Sequence, residues 1–138
     1  MTSEPSSIPE LSLTEAWKML SEQSAAVLID VRTRAEWTFV GLPDIGSLNK
    51  DVRTVEWTTF PDGAANPSFL AEATERLEAV QPLLLLCRSG ARSLAAARAL
   101  REAGFADVYN VVAGFEGQLD EAGHRHGGWK DELPWRQS

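Results

Sequence analysis

The chain has a single cysteine among its 138 residues, and the lack of a second thiol rules out an intramolecular disulfide. The cysteine therefore gives no sign of an oxidising compartment, and no internal thiol is present to resolve a bond that it makes. Long apolar runs are missing as well. None approaches the roughly 18 residues of a membrane span, and the opening "MTSEPSSIPE" is polar and acidic, without the basic and apolar regions of a signal peptide. A cytoplasmic location is expected. Positive charge is also in deficit: 13 Lys and Arg face 20 Asp and Glu, a net charge of −7, and no stretch collects basic residues over one long face. On that ground nucleic acid and membrane surfaces are not expected partners, and an anion can be handled only by a local site set against the overall field. Internal repeats, low-complexity tracts and a boundary that would split the chain are absent too.

What is present suits one globular domain. Hydrophobic residues make up 43% and charged residues 24% of the chain, close to the soluble average, and the length allows a core without staples. Residues 1–10 are expected to be a loose tail and 11–138 a single domain. "LSLTEAWKMLSEQ" predicts a first helix, since Ser12 and Glu15 have capping-box spacing and Leu13, Trp17 and Leu20 share a face. The continuous apolar run "AAVLIDV" reads as a strand buried on both faces. Residues 41–67 are mostly turn signals, with one strand expected around 53–57. "NPSFLAEATERLEAV" predicts a helix capped by Asn66 with Pro67 at its first position, and Phe69, Ala73, Leu77 and Val80 as its apolar stripe. "PLLLLC" is a second buried strand, "SLAAARALREAG" a helix stopped by Gly104, and "ADVYNVV" another strand. "AGFEGQLDEAG" reads as a short helical segment, and the remaining tail as loop and terminal turn packed down by Trp129 and Trp135. Strands alternating with helices predict an α/β fold with a mainly parallel sheet.

Cys87 ends the second buried strand, where ligands bind in open parallel sheets. The residues that follow, "RSGAR", are small or cationic and lead into a helix N-terminus, where unpaired N–H groups and the helix dipole favour an anion. That anion can be the cysteine itself, as thiolate. Gly90 allows the backbone to curl its amides around the sulfur, and Arg92 suits an anionic leaving group. Inert filling of a core is the commoner fate of a lone cysteine. The conjunction of strand end, glycine-bearing loop, two arginines and helix start argues for a nucleophile here.

These residues carry a resemblance. "LLLLCRSGARSLAAARAL" followed by "AGFADVYNVVAGFEG", with "VLIDVRTRAEW" upstream, resembles a single-domain rhodanese, a sulfurtransferase, over roughly residues 11–134. Four residues separate Cys87 from Arg92, whereas the similar loops of tyrosine and dual-specificity phosphatases are one residue longer; here the sixth position after the cysteine is Ser93. The spacing favours sulfur transfer over phosphoryl transfer. The resemblance implies a rhodanese-like fold, with a central mainly parallel five-stranded sheet flanked by helices on both faces. It also implies a mechanism: Cys87 takes a sulfane sulfur from thiosulfate or a related persulfide donor and passes it, as a persulfide, to an external thiol or cyanide. Arg88, Ser89, Gly90, Ala91, Arg92 and Ser93 form the loop that cradles the persulfide, with Arg88 and Arg92 orienting the anionic donor. Asp30 and Arg32 support it from beside; Arg32 and Glu36, four apart, are placed to pair on a helical turn, and Asp30 to bond loop groups. No cofactor and no metal are expected, since His124 and His126 form only a lone H-x-H in a glycine-rich loop. Trp57 and Phe60 are candidates for the pocket mouth, with the core as the alternative.

The chain departs from the family at two places. "QLDEAGHRHGG", residues 118–128, intervenes before the terminal tryptophans as an insertion, and "GLPDIG" stands where the family has "GHIPGA". Two other functions stay open beside the enzyme: a sulfur-relay or binding module that carries persulfide between partner proteins, including a sulfur-accepting protein, and a silent regulatory domain. The intact Cys87 and Arg92 argue against the last.

Overall fold

Four consecutive leucines suit a strand covered on both faces, and the computed structural model, which describes residues 7–137, places them at the middle of a sheet. The chain opens with β1 (Glu10–Leu11), α1 (Leu13–Glu22), β2 (Val27–Asp30), α2 (Arg34–Phe39), β3 (Leu42–Pro43) and β4 (Arg53–Thr54). It continues through α3 (Phe69–Thr74), β5 (Leu83–Leu86), α4 (Ala91–Glu102) and β6 (Val108–Val111). It closes with β7 (Gly117–Leu119), β8 (Arg125–Gly127), α5 (Trp129–Glu132) and β9 (Trp135–Arg136). Five strands pair in parallel in the order β1-β6-β5-β2-β4. Leu85 stands in register with Ile29 on one side and Asn110 on the other.

Because strand side chains alternate, β5 feeds two cores. Leu83, Leu85 and then Cys87 face Ala96, Ala97 and Leu100 of α4 and Phe69 and Ala73 of α3. Leu84 and Leu86 face Leu13, Ala16 and Leu20 of α1 and Trp129 of α5. Helices thus cover both faces of a five-stranded parallel sheet, as the resemblance implies. Among the described residues, no helix is long and apolar enough to cross a membrane.

Several local expectations are met and several are corrected. Ser12 and Glu15 make the reciprocal capping box, at 3.1 and 2.8 Å. The expected tail is ordered from Ile8, which is buried, and β1 adds a strand to the sheet edge by pairing with Asn110 and Val111; a two-residue strand is too short to show a period of two. Residues 1–6 of that tail lie outside the described residues. Helix α3 starts two residues later than expected, capped at Ser68, because the Asn66 side chain accepts the Ser68 amide (3.0 Å) in a turn that precedes the helix. It also stops early, with Arg76 at φ 63°, so Val80 leaves the apolar stripe for solvent.

The segment "AGFEGQLDEAG" is not helical. Its Phe115 and Glu116 amides are committed to the Cys87 and Arg88 carbonyls (2.8 and 3.1 Å), and the residues that follow, Gly117–Leu119, pair as a strand. Residues 118–128 instead belong to an antiparallel hairpin of β7 and β8, and the tail contains α5 and a β9 paired with β3. Trp129 anchors that tail: it is fully buried, and its Nε1–H donates to the Pro134 carbonyl (2.8 Å).

Candidate active site

The end of β5 delivers Cys87 to the α4 side of the sheet, 1% exposed. Among the described residues, two groups reach its sulfur. The Gly90 N–H donates to Sγ at 3.1 Å, and the Ser93 hydroxyl lies 3.2 Å away. Gly90 caps α4 at φ 107°, a backbone conformation that disfavours any side chain, and a Cβ there would stand 2.8 Å from the Val112 carbonyl oxygen. Gly114 is equally constrained, because a Cβ on it would collide with the Arg88 carbonyl. The loop is thus laid directly against the segment after β6, with no side chain between.

Ser93 has one proton and three acceptors within reach: Sγ, Asn110 Oδ1 at 2.5 Å and the Gly90 carbonyl at 3.2 Å. Asn110 in turn donates Nδ2–H to the Gly90 carbonyl at 3.1 Å. With the thiol protonated, S–H donates to the Ser93 oxygen while the hydroxyl serves Asn110. With a thiolate, the hydroxyl turns to the sulfur. The one hydroxyl proton serves either Asn110 or the sulfur, not both at once.

The arginines are less free than the sequence implies. Arg92 makes a two-pronged bridge to Glu36, Nη1–Oε1 2.8 Å and Nη2–Oε2 2.9 Å. Burial alone raises the Glu36 carboxyl. The Arg92 hydrogen bond, the Thr33 amide, the Arg92 charge and the Thr33 hydroxyl outweigh it, and bring the group from 4.5 to about 2. The same hydrogen bond raises the Arg92 guanidinium above its ordinary value against the opposing effect of burial, with the Glu36, Cys87 and Asp30 charges adding to it. Arg88 lies 3.5 Å from Glu116 and is half exposed.

Asp30 and Arg32 behave differently from expectation. Arg32 does not pair with Glu36; it folds back on Asp30, Nη2–Oδ2 2.7 Å and Nε–Oδ1 3.0 Å, both fully buried, and also donates to the Gly41 carbonyl at 2.8 Å. Its guanidinium lies 4.1 Å over the Phe115 ring. Asp30 accordingly spends its oxygens on Arg32 and not on the Cys87 loop. The pair ties the end of β2 to the segment after β6, behind the site.

Ser89 and Ala91 contribute backbone to the loop, and the Ser89 carbonyl accepts from Gln118 Nε2 (2.9 Å), so the inserted hairpin braces it. Trp57 packs edge-on against Phe69 in the core, 4.9 Å between centroids, while Phe60 stands at the cleft. That cleft, about 590 Å³, is lined by Glu36, Phe39, Phe60, Arg88, Arg92 and Glu116 together with Thr33, Ala35 and Val40. His126 sits against Asp120 (3.4 Å) within the hairpin. Sequence reasoning missed Asn110, Glu116 and Phe39. Only Asn110 carried a signal, as the one polar residue inside the apolar "VYNVV" strand.

Comparison with known proteins agrees with this geometry. A solved structure, that of Rv0390 from M. tuberculosis, superposes with a TM-score of 0.87 at 50% identity, covering 96% of this chain and 100% of that one. The polysulfide-sulfur transferase homodimer from Wolinella succinogenes matches with a TM-score of 0.59 at 29% identity, over 78% of this chain and 69% of its own. Thiosulfate sulfurtransferase GlpE of Haemophilus influenzae is 26% identical over 80% of this chain and 88% of its own length. The profile of the Rhodanese-like domain matches residues 12–121, spanning β2 through β7 and the whole Cys87 loop, and the chain belongs to that family.

Proposed function

We propose that this protein is a sulfurtransferase that moves a sulfane sulfur from thiosulfate or a related persulfide donor to an external thiol or cyanide, with Cys87 as the carrier. The observation that carries the reading is the sulfur of Cys87 at the end of β5, met by the Gly90 amide at 3.1 Å and the Ser93 hydroxyl at 3.2 Å where α4 begins. These donors suit a sulfur that bears negative charge both before and after reaction. The names of the relatives agree in chemistry, one a thiosulfate and one a polysulfide-sulfur transferase.

In the first half-reaction the Cys87 thiolate attacks the outer sulfur of thiosulfate. The new S–S bond forms as the donor S–S bond breaks, and sulfite leaves with the electron pair. The persulfide anion that results keeps the Gly90 amide at Sγ. In the second half-reaction cyanide or a thiolate attacks the outer sulfur, and the Cys87 thiolate departs. The acceptor comes from outside, because the chain has no other cysteine. The one-residue-shorter loop supports sulfur transfer over phosphoryl transfer, since Ser93, not an arginine, occupies the sixth position.

The test is intact mass after incubation with thiosulfate. One added sulfur is expected, removed by cyanide and absent from Cys87→Ala. No adduct, or an adduct that survives in Cys87→Ala, would overturn the mechanism.

A further inference from the structure

The inserted hairpin touches the Cys87 loop at the peptide group that supplies the sulfur with its amide donor. Gln118 Nε2 donates to the Ser89 carbonyl at 2.9 Å, and among the described residues this is the one hydrogen bond that the carbonyl accepts. The Val112 carbonyl stands 3.5 Å from the same nitrogen, so both neighbours call for the NH₂ end of the side chain. The Ser89 carbonyl and the Gly90 N–H belong to a single trans peptide group and point in opposite directions. One end of that group is therefore held by Gln118, while the other meets Cys87 Sγ at 3.1 Å. The backbone preference of glycine does not by itself fix this orientation. A flip of the peptide would carry the Gly90 φ from 107° to the negative side, which glycine accepts as readily, and would turn the carbonyl dipole on the sulfur. Such a flip forfeits the Gln118 hydrogen bond.

The support behind Gln118 is firm. It stands opposite His126 in the pairing of β7 with β8. Arg125 Nη1 donates to the Gly117 carbonyl at 2.9 Å, and the Asp120 carboxylate closes the turn on the Ala122 and His124 amides, both at 2.9 Å. A Cβ on Gly117 would collide with the His126 carbonyl, so the two strands lie in close contact. We infer that Gln118 is a positioning residue for sulfur transfer: by holding the Ser89 carbonyl it keeps the Gly90 N–H on Cys87 Sγ. A hydrogen bond accepted by that carbonyl also polarises the peptide group and strengthens its N–H as a donor. The inference rests on the sulfur-transfer reading above, and it gives the inserted hairpin a part in the reaction. Gln118 touches no reacting atom and acts through the peptide alone. The charged groups about the sulfur are Arg92 with Glu36 of α2, Arg88 with Glu116, and Asp30 with Arg32 at the end of β2, while His126 pairs with Asp120 in the hairpin. A neutral replacement of Gln118 leaves all of these charges in place.

Gln118→Met tests this, since methionine matches glutamine in length and charge but cannot donate; the side chain is exposed, so the change leaves the core untouched. Sulfur loading of Cys87 by thiosulfate is followed by intact mass under single-turnover conditions from acid to alkaline pH. On the acid limb of the profile, where the thiol must first ionise, the variant should load about three- to tenfold more slowly, as expected when a thiolate loses one hydrogen bond and gains some nucleophilicity in return. On the alkaline plateau it should match or exceed the wild type, because a thiolate with one donor fewer is the stronger nucleophile. Equal rates in variant and wild type at every pH overturn the inference and leave sulfur transfer intact. A loss of one size at every pH, which a merely structural contact would give, does the same. A wild-type protein that takes no sulfur from thiosulfate at any pH overturns the sulfur-transfer reading and this inference with it.

Discussion

Glu36→Gln is the most informative single substitution, because it separates the bridge to Arg92 from the helix cap that Glu36 also provides. Glutamine at the third helical position still closes a capping box with Thr33, so α2 keeps its start while the charge is lost. A carboxyl held at about 2 against an ordinary 4.5 corresponds to a ceiling of about 3 kcal/mol of folded-state stabilisation when ionised. Solvent reaches 20% of the side chain and screens the pair, which brings the expected contribution to about 1–2 kcal/mol. Because the folded-state value is depressed, the unfolded chain takes up a proton first as pH falls. The contribution is therefore complete above about 4.5 and disappears between there and about 2. Urea unfolding of wild type and variant at a series of pH values measures it. The gap should be about 1–2 kcal/mol at neutral pH and should close progressively below 4.5. Arg92→Ala should remove the same interaction, so the double variant should be little worse than Arg92→Ala alone. A gap that does not change with pH, or losses that simply add, would refute the bridge as the source.

Two further outcomes follow from the Cys87 loop. Asn110→Ala takes one hydrogen-bond partner from each of the Ser93 hydroxyl and the Gly90 carbonyl in a buried site; a loss of about 1–3 kcal/mol in denaturant unfolding is expected, and an unchanged midpoint would count against the network. Gly90→Ala places a Cβ 2.8 Å from the Val112 carbonyl oxygen at φ 107°. It should cost about 1–3 kcal/mol and slow sulfur loading of Cys87, since the amide that meets the sulfur must move; loading at the wild-type rate would show that this amide is dispensable.

Legibility followed the range of the interaction. Capping at Ser12 and Glu15 spans three residues, and the four leucines of β5 announce their burial without reference to anything else. The hairpin at residues 118–128 was readable as an insertion but not as strands, because β7 and β8 are three residues each and are held by their pairing with one another. The helix expected at "AGFEGQLDEAG" fails for a tertiary reason: its amides at Phe115 and Glu116 belong to the Cys87 loop, some thirty positions earlier. Arg32 had two carboxylates within four residues. Strand geometry at the end of β2, where the chain turns back, gave it to Asp30 and left Glu36 for another partner.

By itself, then, the chain of residues determined that its one cysteine would end a buried strand and be followed by a small, cationic loop and a helix. A fully apolar strand must be buried, the small and cationic residues after it must turn, and the alanine-rich run must start a helix, all through contacts between near neighbours. Only the tertiary structure decided which charges are free to act. Arg92 and Glu36 are separated by 56 positions and meet because α2 and the start of α4 converge at the same end of the sheet. Asn110 reaches Ser93 across 17 positions because β6 runs beside β5. Phe39, at the end of α2, and Phe60, in the segment between β4 and α3, come to one cleft. Electrostatic pairing and pocket shape depend on distance in space, and that distance is set by the packing of the sheet and its helices.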